Sequence, residues 1–220
     1  MSSIASRPDD SGVWVKILSL SEDYAFGEIF RVMRATLQHR RFDGQMSAPI
    51  TRLNFERGDS VGILLHDPQD DTVVLVRQFR YPVYASLAPE ERDGDRAKQA
   101  WLLEIVAGVI DAGLTVKEVA HKELLEEAGY QITGDFQLIA TVYPSPGGSS
   151  ERITLFLVRV DSRERIGKGG GVMAEGEDIQ LEALPFQEAM DMVARGEIRD
   201  AKTILALQHL ALLKAREADR

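Results

Sequence analysis

The chain is predicted to be an α+β protein, on three observations. Strand-like runs lie before and after one helix that starts at Thr115, two more helices close the sequence, and no internal repeat is present. Strands and helices in that succession are the pattern of an α+β fold.

Residues 1–12 read as a disordered tail, and 13–55 as an N-terminal strand subdomain. Within it, VWVKILSL and FRVMRATLQH alternate apolar and polar residues, predicting strands broken near Ser21–Asp23. An Asp43-Gly44 turn leads to a further strand. The main domain is read as 56–215. It opens with two apolar strands, SVGILLHD (60–67) and TVVLVRQFR (72–80), joined by the turn-rich DPQDD. Residues 85–100 are highly charged and read as an insertion or mobile loop. WLLEIVAG (101–108) leads to the helix, where Thr115 and Glu118 form a capping box. FQLIATVYP and RITLFLVRV then flank the loop SPGGSSE. The glycine-rich GKGGGVMAEGED (167–178) precedes a strand, IQLEAL, and the helices PFQEAMDMVARGE and AKTILALQHLALLKARE.

Bulk properties narrow the function. A length of 220 residues fits one ordinary domain with an appended subdomain. No apolar run approaches the ~20 residues that span a bilayer, and MSSIASRPDDSG lacks the apolar centre of a signal peptide. The absence of cysteine excludes disulfides and thiolate catalysis and fits a cytoplasmic protein. A net charge of −9 argues against a nonspecific nucleic-acid or anionic-membrane surface.

The most informative segment is GVIDAGLTVKEVAHKELLEEAGY, residues 108–130. Glu123, Glu126 and Glu127 sit at i, i+3 and i+4, which share one face of a regular helix. An acidic cluster is ordinarily a solvated face. This one continues an apolar stripe through Val116, Val119 and Ala120, which normally faces a core or pocket wall. A hard divalent cation would offset the repulsion between the carboxylates. The segment resembles the Nudix box, G-x5-E-x7-R-E-U-x-E-E-x-G-U, with Gly108, Glu123, Leu124, Glu126, Glu127, Gly129 and Tyr130 in register. Leu114 stands where the family has its first glutamate, and Lys122 where it has an arginine that orients a catalytic carboxylate. Lysine keeps the charge but loses the two-pronged donor geometry.

The resemblance covers residues 42–213 and is closest to the branch acting on ADP-ribose and related nucleoside diphosphate sugars. FERGDSVGILLHDP, VVLVRQFRYPVY, WLLEIVAG, SPGGSSER and GEDIQLEALPF with RGEIRDAKTILALQHL carry it. It implies an α/β/α sandwich with a mixed sheet, and a homodimer in which N-terminal strands help build the partner's site. It also implies a cofactor, Mg²⁺ or Mn²⁺, held by Glu123 and Glu127 with Glu126, Glu177 and the Ala107 carbonyl. Such ions neutralise a diphosphate and lower the pKa of a bound water. Further roles carried over are a general base at Glu175 in the glycine-rich loop, with the glycines letting that loop close over substrate. Arg80 becomes a diphosphate contact, and Arg57 and Glu56 face the nucleobase or ribose. Gly147 and Gly148, with Ser145 and Pro146, form a tight pocket-lining loop, which a purely structural turn explains equally well. Glu151 reads as a supporting carboxylate, and His66, His121 and His209 as structural. The expected activity is hydrolysis of ADP-ribose to AMP and ribose 5-phosphate. GDP-mannose or another sugar nucleotide is the close alternative, and a catalytically weak nucleotide sensor a more distant one.

Overall fold

A computed structural model of the chain describes residues 12–27 and 29–219, Glu175 by its backbone alone. The predicted tail therefore lies, except for Gly12, outside the described residues. Those described divide into two compact units: the residues up to Gly58 with Ser145–Glu151, and Asp59–Pro144 with Arg152 onward.

The first unit is a three-stranded antiparallel sheet of β1 (Val15–Phe26), β2 (Phe30–His39) and β3 (Ile50–Glu56) in that order. The break expected near Ser21–Asp23 is a bulge instead. Glu22 faces Met33 and Tyr24 faces Val32, leaving Asp23 the extra residue. Its carboxylate accepts a 2.8 Å bond from Arg34 Nε, so the polar SED cluster serves the strand edge rather than a turn. The Asp43-Gly44 turn forms, with Gly44 at φ 83° and its N–H on Arg41 O. Loop 145–151 joins this sheet through Phe55 N–H to Gly148 O, 2.8 Å. No residue of β1 is buried, and Trp14, Ile17, Leu20, Tyr24 and Phe26 are exposed.

The second unit is built on a mixed seven-stranded sheet. Its strands are β4 (Ser60–Asp67), β5 (Thr72–Phe79), β6 (Trp101–Glu104), β7 (Val106–Val109), β8 (Gln137–Val142), β9 (Ile153–Arg159) and β10 (Gln180–Pro185). The order is β10-β5-β4-β9-β8, with β6 on β5 and β7 on β4, and only β4–β9 is parallel. Alternation along β4 decides the layers. Val61, Ile63 and Leu65 pack with Val119, Ala120 and Leu124 of the box helix. Leu64 faces the other way, into a core shared with Ala206, Leu207 and Leu210 of the last helix. A strand covered on both faces reads as the continuous apolar run seen in SVGILLHD. Helices on both sides of the sheet make the expected α/β/α sandwich.

Residues 85–100 are not an irregular loop. They follow α1 (Tyr81–Ser86) as short 3₁₀ turns, Pro89–Glu91 and Gly94–Ala100, with Leu87 and Ala100 buried. Arg92 holds the first turn by donating to the carbonyls of Leu87 and Ala85. No helix among the described residues is long and apolar enough to cross a membrane.

Candidate active site

The box helix, α2, runs Val116–Glu123. Thr115 Oγ1 accepts from Glu118 N–H, and the Glu118 carboxylate returns the bond to Thr115 N–H at 2.7 Å, so the predicted capping box starts it. Beyond Glu123 the chain widens into a π-turn, Leu124–Ala128, closed by Gly129 in the left-handed conformation. The three glutamates are not equally buried: Glu123 and Glu127 are 8% and 2% exposed, while Glu126, about 100° round the helix from Glu127, stays half-exposed. Lys122 pairs across the surface with Glu126 at 3.8 Å and with Asp111 at 3.5 Å.

The Glu123 carboxylate occupies space left by the box's first glycine. A Cβ at Gly108 would overlap the Glu123 carboxylate. Glu127 Oε2 accepts the Ala107 N–H at 3.1 Å. Burial pushes the Glu123 carboxyl up to about 7; Lys122 opposes this, while Glu126, Glu177 and Asp111 reinforce it. Burial likewise pushes Glu127 up to about 8, opposed by the Ala107 N–H and Arg80 and reinforced by Glu123 and Glu177. Protein charge thus leaves these oxygens short of positive neighbours. Hard oxygen donors held in that state fit a divalent cation such as Mg²⁺ or Mn²⁺. The described residues contain no closed cluster of three metal-ligating side chains.

Glu177 comes close enough to raise both carboxyls, and its own Oε2 is fixed by Val172 N–H at 2.8 Å. The glycines before it make close backbone contacts with the end of the box helix. Gly170 and Gly171 donate to the carbonyls of Glu127 and Glu126 at 2.9 and 3.1 Å, and Ile166 and Gly167 both donate to Gly129 O. Gly169, at φ 62°, is seated so closely that a Cβ would collide with Glu127 O. The glycine run is a backbone dock that satisfies the end of the box helix. Glu175 ends the 3₁₀ turn Met173–Glu175, and its side chain lies outside the described residues.

Arg80 follows β5 and interacts electrostatically with Glu127. Its Nε and Nη2 grip Glu104 at 2.7 and 3.0 Å. Sequence reasoning overlooked Glu104, although a lone charge within the apolar WLLEIVAG is itself a signal of a buried ion pair. It also overlooked Lys202, which pairs with the same carboxylate. Among the sequence candidates, Glu123, Glu127, Glu177, Arg80 and Ala107 are gathered in the second unit, with Lys122 and Glu126 at the surface.

Glu56, Arg57, Gly147 and Gly148 belong to the first unit. Arg57 pairs with buried Glu151 at 3.5 Å, and Glu56 accepts from Asn54 Nδ2 at 3.2 Å. Neither Gly147 nor Gly148 has left-handed φ, and a Cβ on either would meet nothing within 4 Å, so this turn does not itself require glycine.

The mixed sheet between helices carries a capped, glycine-bracketed helix that presents two desolvated glutamates within electrostatic reach of an arginine. Residues 56–207 match the NUDIX domain. The chain is 38% identical over 175 residues to an ADP-ribose pyrophosphatase of Escherichia coli K12, covering 80% of this chain and 78% of that protein. It is 35% identical over 198 residues to a GDP-mannose pyrophosphatase of Cronobacter sakazakii, covering 90% and 94%. A crystal structure of an ADP compounds hydrolase superposes with a TM-score of 0.65 at 18% identity, over 94% of this chain and 98% of that one, a likeness of fold. The chain belongs to the NUDIX family and is a hydrolase of pyrophosphate bonds.

Proposed function

We propose that this enzyme hydrolyses the diphosphate of ADP-ribose or a related nucleoside diphosphate sugar, giving AMP and ribose 5-phosphate from ADP-ribose. The observation that carries the reading is the pair of buried carboxylates, Glu123 and Glu127, pushed up to about 7 and about 8 beside Arg80. In the proposed site they hold Mg²⁺, or Mn²⁺, together with Glu126, Glu177 and the Ala107 carbonyl. The ion supplies charge neutralisation of the diphosphate and acidifies water. Arg80 binds the diphosphate, and Lys122 steadies Glu126. Glu175 takes the proton from the attacking water as a P–O bond of the anhydride breaks. Arg57 and Glu56 contact the nucleoside end, and the Gly147–Gly148 turn lines that side.

We further propose a cytoplasmic homodimer built through the residue 13–55 sheet, with 56–215 as the hydrolase domain. A three-stranded sheet whose β1 is wholly exposed and rich in large apolar side chains supports that assembly. Nucleic acid and membrane are not its partners, in keeping with the charge of −9.

GDP-mannose is the second reading, favoured by the longer span shared with the GDP-mannose pyrophosphatase. A sugar-nucleotide panel assayed with Mg²⁺, with Mn²⁺ and with chelator, with products identified, separates the two. Hydrolysis of ADP-ribose well above GDP-mannose supports the first reading, and the reverse preference supports the second. Tight binding without turnover on any member would make the protein a nucleotide sensor, a reading that Leu114 and Lys122 motivate.

A further inference from the structure

We propose that Lys202 is a positioning residue for substrate binding, which acts through Glu104 to set how Arg80 presents its guanidinium to the diphosphate. This rests on the reading of Arg80 as a diphosphate contact.

The segment RGEIRDAKT resembled the sugar-nucleotide branch in sequence, yet none of its residues had a role. The structure supplies one for Asp200, Lys202 and Thr203. Asp200 caps α4 (Ala201–Ala218), its Oδ2 accepting from Thr203 N–H at 2.9 Å and from Thr203 Oγ1 at 2.6 Å. Thr203 Oγ1 in turn accepts the Ile105 N–H at 2.8 Å, tying the helix start to the one residue between β6 and β7. Lys202 reaches Glu104 Oε2 and stands 3.0 Å from Asp200 Oδ1. Glu104 is therefore held from two sides: by Arg80 on both oxygens and by Lys202 on one.

Exposure shows which end of this chain of contacts faces outward. The Glu104 and Lys202 side chains are 2% and 12% exposed, and the Arg80 side chain is 37% exposed. Lys202 is thus the buried support, and Arg80 the open end. Arg80 spends its Nε and Nη2 on Glu104, leaving the Nη1 side of a rigid planar donor for a ligand. Asp200 balances the charge of Lys202 as Glu104 balances that of Arg80, so the contribution of Lys202 is to fix the Glu104 carboxylate in place rather than to add positive charge.

The test is a double-mutant cycle on Lys202→Met and Arg80→Ala in the full-length protein. The readouts are calorimetric Kd for α,β-methylene ADP-ribose, KM and kcat with Mg²⁺, and melting temperature. Lys202→Met is expected to raise Kd and KM roughly 10- to 100-fold, the scale of a misplaced binding group, with a smaller change in kcat. In the Arg80→Ala background it is expected to add nothing. Lys202→Arg is expected to restore Kd to near the wild-type value. A Kd unchanged by Lys202→Met, even with a lowered melting temperature, would overturn the proposal, as would penalties that simply multiply in the double variant. Should Lys202→Met fail to fold, Lys202→Gln, which keeps a hydrogen bond without the charge, takes its place under the same criteria. A wild type that binds the analogue but hydrolyses no sugar nucleotide defeats the proposed activity instead, and the binding cycle still decides Lys202.

Discussion

Glu127→Gln should stabilise the metal-free protein while destroying its activity. Burial pushes the Glu127 carboxyl up to about 8 in the folded chain against an ordinary 4.5. Below pH 4.5 it is protonated whether folded or unfolded, and stability is at its fullest. Between there and pH 8 the unfolded chain releases the proton while the folded chain retains it, so stability falls as pH rises. At about 1.4 kcal/mol per pH unit, the loss reaches roughly 4 kcal/mol by pH 8. For a chain of this size that is on the order of 10 °C in melting temperature. Glutamine keeps an oxygen for the Ala107 N–H but does not ionise, so the variant escapes Glu127's share of the loss. Melting curves at pH 5 and pH 8 in chelator, run beside kcat with Mg²⁺, measure both effects. The wild type should melt lower at pH 8 than at pH 5, and the variant should show a distinctly smaller drop. Turnover of the variant should fall by orders of magnitude. A wild-type melting temperature flat across this range, or a variant that tracks it, would refute the account of a desolvated carboxylate awaiting a cation.

Three other perturbations probe the frame. Gly108→Ala puts a methyl into the Glu123 carboxylate and should weaken Mg²⁺ binding, read as a smaller Mg²⁺-induced rise in melting temperature. Gly169→Ala combines a left-handed φ with a collision at Glu127 O and should cost about 1–3 kcal/mol in denaturant unfolding. Thr203→Val leaves the Ile105 N–H without its acceptor and should cost about 1–3 kcal/mol by the same measurement; an unchanged midpoint would show that bond to be dispensable.

Much of the site was legible because its signals are local. A capping box spans four residues, and a carboxylate cluster shows at i, i+3 and i+4, so the helix start at Thr115 and Glu118 and the grouping of Glu123, Glu126 and Glu127 could be read from spacing. The strands of the sandwich were legible for the same reason, since a doubly covered strand is a short apolar run. The π-turn was not legible: nothing in ELLEEAG distinguishes it from a regular turn. The bulge at Asp23 escaped because it depends on the register of the facing strand. The glycine run read as freedom to move, whereas its role is close approach to a helix end some forty residues earlier in the sequence.

Sequence by itself thus determined the α+β order and the acidic helix, because these arise from residues within one turn or one strand of each other, and the family and the sandwich through the resemblance of its motifs. Tertiary structure alone decided which carboxylates are desolvated, and which cations steady the arginine. Glu104 and Lys202 are 98 positions apart, and only folding brings them into one buried ion pair. Desolvation is a property of the surroundings, and the surroundings of Glu123 and Glu127 are assembled from the Gly108 strand, the box helix and the docked loop together.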